Sequence, residues 1–110
     1  MQITPEQIQA IVSKIVETAK PQKVILFGSY ANGTPNKDSD LDILVIKGIE
    51  NDILNERIII RSALSSFSVP MDILVYPQEY VDYWKDTPLA FVTKIIKKGK
   101  LVYEQNSRVS

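Results

Sequence analysis

Three aspartates stand where their spacing could do chemistry: Asp40 and Asp42, two residues apart, and Asp72, thirty residues further on. Residues two apart on a strand share a face, their bases about 7 Å apart. If Asp72 opens a parallel strand beside them, all three carboxylates can meet at one corner of a sheet. Crowded carboxylates repel and resist ionising together, so such a cluster needs a cation to neutralise it. The fitting ion is magnesium, a hard cation that prefers carboxylate oxygens and substrate phosphates. Carboxylates that hold two such ions suit in-line displacement at phosphorus. For one aspartate alone, a solvated strand end is the ordinary reading. Two in step followed by a third on a neighbouring strand favour the chemical one.

A second element lies upstream. Gly28-Ser29 ends a short apolar run, and a glycine there lets backbone amides come close to a ligand. Those amides and the Ser29 hydroxyl could hold phosphate oxygens if a helical turn follows. The glycine-rich phosphate loop ending in Lys-Ser or Lys-Thr is missing. Alone, a Gly-Ser pair reads as a plain turn.

Other chemistries are closed by composition. The 110-residue chain has no Cys and no His, so thiol nucleophiles, Cys-based zinc sites and imidazole acid–base catalysis are excluded. Thirteen basic residues balance thirteen acidic ones, for a net charge of zero, which disfavours direct binding of long nucleic acid through a basic surface. The apolar runs Val24–Phe27 and Ile43–Ile46 are far too short to span a bilayer. No basic region followed by an apolar stretch marks a signal peptide, and a cytoplasmic protein is expected. With 45% hydrophobic and 24% charged residues, the composition is that of one globular domain over residues 1–110.

The elements that must position these residues alternate. Thr4-Pro5-Glu6-Gln7 carries a helix N-cap, a first-turn proline and a capping box. Ile8, Ile11, Val12, Ile15, Val16 and Ala19 then repeat at helical spacing until Pro21. Lys23–Phe27 reads as a strand, Asn32–Ser39 as a loop with a helical turn before it, and Asp40–Ile46 as the next strand. Asn51–Ser66 is expected to be a helix burying Ile53, Leu54, Ile58 and Leu64, with Arg57 and Arg61 on a solvated stripe. Met71–Tyr76 reads as a strand, Pro77–Lys85 as a short helix, and Thr87-Pro88 as the start of a helix through Lys98. Leu101–Tyr103 is expected to be an edge strand, followed by a polar, frayed tail, Gln105–Ser110. Strands alternating with helices make an α/β layered domain. The 24 residues from Lys47 to Pro70 suffice for a crossover, so the Asp40 and Met71 strands are expected to be parallel neighbours.

Gly28-Ser29, ten intervening residues and Asp40-Leu41-Asp42 form a G-S-x10-D-x-D pattern, which resembles the signature of the DNA polymerase β-like nucleotidyltransferase superfamily. Its four fixed letters would arise by chance in about one chain of this length in a thousand. Ala31, Gly33 and Ser39 extend the likeness to the minimal nucleotidyltransferases, and it covers most of the chain. The resemblance implies an α+β nucleotidyltransferase fold, a small mixed sheet of about four strands flanked by helices. It implies that Gly28 and Ser29 hold the β- and γ-phosphates of ATP, and that Asp40 and Asp42 are the principal ligands of two Mg²⁺ ions. By the same likeness Asp72 is the third carboxylate, helping to ligate metal and taking the acceptor's proton.

Larger relatives add a domain that recognises the acceptor, for which this chain has no room. The chain therefore resembles the antitoxin of HEPN–minimal-nucleotidyltransferase pairs, in which AMP passes from ATP to a tyrosine hydroxyl of a helical toxin. An oligomer with itself or with the toxin is compatible with that likeness. The alternatives are an antitoxin acting by binding alone and a small-molecule nucleotidyltransferase. Outside the motif, Lys37 and Asp38 read as surface loop, and Tyr80, Tyr83 and Trp84 as core packing or a partner patch. The run Lys94, Lys97, Lys98 and Lys100 reads as a helix C-terminus that favours cations.

Overall fold

The computed structural model describes residues 3–35, 39–48 and 52–105. Helix α1 (Pro5–Ala19) starts as expected: the Thr4 hydroxyl accepts from Gln7 N–H, and the Gln7 side chain accepts from Thr4 N–H. It ends at Lys20, which adopts a left-handed cap. Then come β1 (Lys23–Phe27), the one-turn α2 (Ser29–Asn32), β2 (Leu41–Lys47), α3 (Ile53–Ala63), β3 (Met71–Pro77), α4 (Gln78–Trp84), α5 (Phe91–Lys98) and β4 (Lys100–Glu104). The four strands form one mixed sheet in the order β3-β2-β1-β4. β2 and β3 are parallel, as the crossover length predicts, while β1 runs antiparallel to both β2 and β4. Among the described residues no helix is long and apolar enough to cross a membrane.

Strand alternation divides the core into two layers. Val24, Leu26, Leu41, Ile43, Val45, Ile73 and Val75 face one way and pack with Ile11 and Ile15 of α1 and Ile60 of α3. Ile25, Leu44 and Ile46 face the other way and pack with Val81, Val92 and Ile95 from α4 and α5. Helices thus cover both faces, and β2 is buried at nearly every position. Such double coverage is what parallel strands need. Lys47 Nζ, although buried, donates to the Ala19 carbonyl and lies 3.0 Å from Glu56 Oε1, pinning the end of β2 to α1 and α3.

Several expected boundaries move. Asp40 lies one residue before β2 rather than within it. Helix α3 is capped by the Asp52 side chain, which accepts from Asn55 N–H, while the expected start at Asn51 falls outside the described residues. Of its expected core residues only Leu64, at the C-cap, is buried and Ile53 is half-buried; Leu54 and Ile58 are 69% and 56% exposed, and Ile60 takes the central place. Branched aliphatic residues stand on several sides of this helix, so periodicity alone could not choose its inner face. Arg61 is exposed as expected, but Arg57 is half-buried, and its Nε is enclosed with no hydrogen-bond partner among the described residues. Thr87-Pro88 forms a turn, with Ala90 N–H donating to the Thr87 carbonyl, and α5 begins only at Phe91. Lys37, Asp38 and the tail after Gln105 lie outside the described residues.

Candidate nucleotide and metal site

The chemistry-bearing residues converge on one edge of the sheet because three strands bring their ends there. β2 and β3 begin at this edge, tied by Leu41 N–H donating to the Pro70 carbonyl at 2.9 Å. Their register sets Asp42 directly opposite Asp72, and Leu44 and Ile46 opposite Leu74 and Tyr76. β1, running the other way, ends here with Phe27 opposite Asp42. Gly28 therefore follows β1 beside the Asp42 carboxyl group. The contact is so close that a Cβ on Gly28 would overlap Asp42 Oδ2 and lie 3.1 Å from its Cγ.

The backbone at Gly28, φ 76° and ψ −155°, falls in a region that is essentially glycine's own. From there the chain turns into α2, with Ala31 and Asn32 N–H donating to the Gly28 carbonyl at 3.1 Å and Thr34 N–H to the Ser29 carbonyl at 3.0 Å. The Tyr30 hydroxyl accepts from Ile3 N–H at 2.9 Å, fastening this turn to the start of the chain. Ser29 is thus held half-buried next to Gly28, at the same edge as the aspartates.

Charge at this edge is unbalanced. Asp42 is half-buried, whereas Asp40 and Asp72 are exposed. Burial, then the Asp72 charge, then the Asp40 charge push the Asp42 carboxyl above its ordinary value. The expected crowding is therefore felt at Asp42, and Asp40 contributes to it from just outside the strand. Among the described residues no three acidic side chains close on one point as a finished metal cage. The donor set nevertheless fits a hard divalent cation: it is all oxygen, its members repel one another, and none forms an ion pair with a described cation.

Of the lysine run, Lys100 reaches the sheet, but on the face opposite Asp42. Leu26, two residues before Gly28, is flanked by Ile43 of β2 on one side and Lys100 of β4 on the other. The aromatic group lies elsewhere. Tyr76 stacks on Tyr80 with ring centres 4.8 Å apart, Trp84 packs into the α4–α5 layer, and Tyr83 is 76% exposed.

Comparison with known proteins identifies the family. Residues 6–108 match the family model described as polymerase beta, nucleotidyltransferase. Two Methanocaldococcus jannaschii proteins, each bearing the name "putative protein adenylyltransferase", are similar to the chain. One is 35% identical over 73% of this chain and 77% of its own length, the other 28% identical over 89% and 92%. A solved toxin–antitoxin structure with AMP-PNP superposes with a TM-score of 0.60 at 20% identity, covering 89% of this chain and 74% of its own. That last likeness is one of fold: a mixed four-stranded sheet with helices on both faces. With a strand-end Gly-Ser, two aspartates at the head of the next strand and a third in register beside them, the chain belongs to the polymerase beta nucleotidyltransferase family.

Proposed function

We propose that the chain transfers AMP from ATP to a hydroxyl group of a partner protein, with magnesium, and that the partner is a helical toxin of the HEPN type. The observation that carries this reading is the Asp42–Asp72 register pair, with Asp40 adjoining and Gly28 pressed against the Asp42 carboxyl. In this reading Asp40, Asp42 and Asp72 would hold two Mg²⁺ ions. Bound there, magnesium would neutralise phosphate charge and favour in-line displacement at the α-phosphorus. Gly28 and Ser29 hold the β- and γ-phosphates through backbone amides and the Ser29 hydroxyl. The acceptor oxygen bonds to the α-phosphorus as the bond from that phosphorus to the α–β bridging oxygen breaks, and pyrophosphate departs carrying the bridging oxygen. Asp72, the exposed member of the register pair, takes the acceptor's proton. Such a reaction needs positioning and charge neutralisation rather than a protein nucleophile, which suits a chain without Cys or His.

A protein acceptor is supported by the names of the two archaeal relatives, and a toxin by the toxin–antitoxin structure of the same fold. A tyrosine as the modified residue completes the proposal. The test combines the chain, a small helical protein of the HEPN type as candidate acceptor, α-labelled ATP and Mg²⁺. Label is expected on a partner tyrosine and is expected to vanish with Asp42→Asn. Label that persists in that variant overturns the reading.

A further inference from the structure

Helix α3 carries a stripe that the fold leaves uncovered. Leu54, Arg57, Ile58 and Arg61 stand at i, i+3, i+4 and i+7, so they share one side of the helix. Leu54, Ile58 and Arg61 are exposed, and Arg57 is half-buried. The inner side of α3 is supplied by Ile60 instead. Among the described residues neither arginine makes an ion pair or a hydrogen bond, and Arg57 Nε is enclosed without a partner. The two acids nearest the stripe are already engaged: Asp52 caps α3, and Glu56 lies 3.0 Å from Lys47. The stripe therefore offers apolar contact and positive charge, with no free carboxylate of its own.

The ion pair shows which way the stripe faces. Lys47, which holds Glu56, also donates to the Ala19 carbonyl at the end of α1, so the Glu56 side of α3 is turned toward α1. Leu54 and Ile58, each two residues from Glu56, lie about 160° round the helix from it and face away from α1. At the C-terminal end of the stripe, Arg61 lines a small cleft with Met71 and Ile73 of β3. That strand is the outermost of the sheet on this side, and Met71 immediately precedes Asp72. The stripe thus follows the open flank of the sheet for about two helical turns, roughly 10 Å, and ends at the edge where the aspartates stand.

We propose that this stripe is the docking site for the acceptor protein, and that the segment seated on it is an amphipathic helix whose apolar face is bordered by Asp or Glu. The inference rests on the protein-acceptor reading and deepens it by naming the surface. Leu54 and Ile58 supply the apolar contact, and Arg57 and Arg61 meet the carboxylates. Arginine beside large apolar side chains is the make-up of an interface that binds through a few strong contacts. Charge selects this occupant over a second copy of the chain. Two copies joined through the stripe would bring arginines together with no free acid to meet them. An acceptor seated here has its body beside Met71, one residue from Asp72, so a hydroxyl-bearing segment has only the end of β3 to pass.

The test is calorimetric titration of the chain with the HEPN-type protein, without ATP, at low and at high salt. Leu54→Ser/Ile58→Ser and Arg57→Gln/Arg61→Gln are each expected to weaken binding at least about tenfold, the loss of one strong interface contact. In the arginine variant, binding should also lose most of its salt dependence. Uptake of MgATP should stay native-like in both, because the stripe holds neither phosphate nor metal. Lys94→Gln/Lys97→Gln, on α5 across the sheet, controls for diffuse charge and should bind as the native protein does. Native-like affinity in either stripe variant, or an equal loss in the α5 variant, overturns the inference while leaving nucleotidyl transfer intact. So does a native chain that sediments alone as a dimer and becomes monomeric with Leu54→Ser/Ile58→Ser, since a second copy then occupies the stripe. If the native chain takes up MgATP and does not bind the HEPN-type protein, the toxin-partner reading falls and this one with it.

Discussion

Gly28→Ala separates what the glycine does for the backbone from what it does for the site. The backbone at Gly28 is in a region that L-residues rarely enter, and holding alanine there costs about 1–3 kcal/mol. Gly33 supplies the control, because its φ of 74° is also positive, yet a Cβ there has nothing within 4 Å. Gly33→Ala should cost about 1–2 kcal/mol through the left-handed backbone alone. For a domain of this size each kcal/mol lowers the melting temperature by about 4 °C or more. Both variants should therefore melt several degrees early.

Only Gly28→Ala places a methyl group on Asp42 Oδ2. The carboxyl must swing away, and a shift of about 1 Å at a reacting centre lowers the rate roughly a hundredfold. The assays are thermal unfolding followed by circular dichroism, and transfer of α-labelled AMP well below both melting points. Gly28→Ala should lose activity by two orders of magnitude, while Gly33→Ala keeps nearly all of it. Equal activity in the two variants would refute the claim that Gly28 sets the position of Asp42.

Asp42→Asn should abolish transfer yet raise the melting temperature by a few degrees, because removing a like-charge cross-strand pair relieves about 0.5 kcal/mol in this partly solvated position. Since Asp42 titrates above its ordinary value of 3.8, the folded state binds its proton more readily than the unfolded state does. The penalty is therefore full at neutral pH and fades as pH falls through the raised value, so the melting difference between Asp42→Asn and the native protein should shrink on acidification. Mg²⁺ with ATP should raise the native melting temperature by mass action, EDTA should reverse the shift, and Asp42→Asn should show little of it. Lys47→Ala should cost about 3 kcal/mol in chemical denaturation by leaving half-buried Glu56 unpaired. On α3, Leu54→Ser and Ile58→Ser should stay within about 0.5 kcal/mol of native, whereas Ile60→Ala should lose at least 2 kcal/mol.

The sequence was most informative where a local rule and a tertiary demand coincide. The capping box at Thr4–Gln7 closes its two hydrogen bonds without help from the rest of the chain, so its four residues suffice to recognise it. The parallel pairing of β2 and β3 followed from the length of the crossover, and Asp42 faces Asp72 because each is the second residue of its strand. Helix α3 was less legible. Its aliphatic residues offer more than one candidate stripe, and only contact with α1 and β3 selects the one bearing Ile60. The Thr87-Pro88 pair satisfies a local capping rule and still forms only a turn, since α5 must begin where Val92 and Ile95 can reach Ile25 and Leu44.

Strand register shows the same limit from another side. What bears on function is the pairing of Asp42 with Phe27 and with Asp72, contacts between residues 15 and 30 positions apart in the chain. β2 is the common reference: Asp42 stands between Phe27 on one flank and Asp72 on the other, and Gly28 follows directly from the end of β1. A site assembled on strand ends in this way depends on register more than on the helices outside it. Moving β2 by one residue against β1 would turn Asp42 to the opposite face and replace it with Leu41. The buried neighbours Leu41, Ile43 and Val45 resist that slip, because it would carry them out of the α1–α3 layer. The apolar pattern that builds the core therefore also holds the aspartates in place.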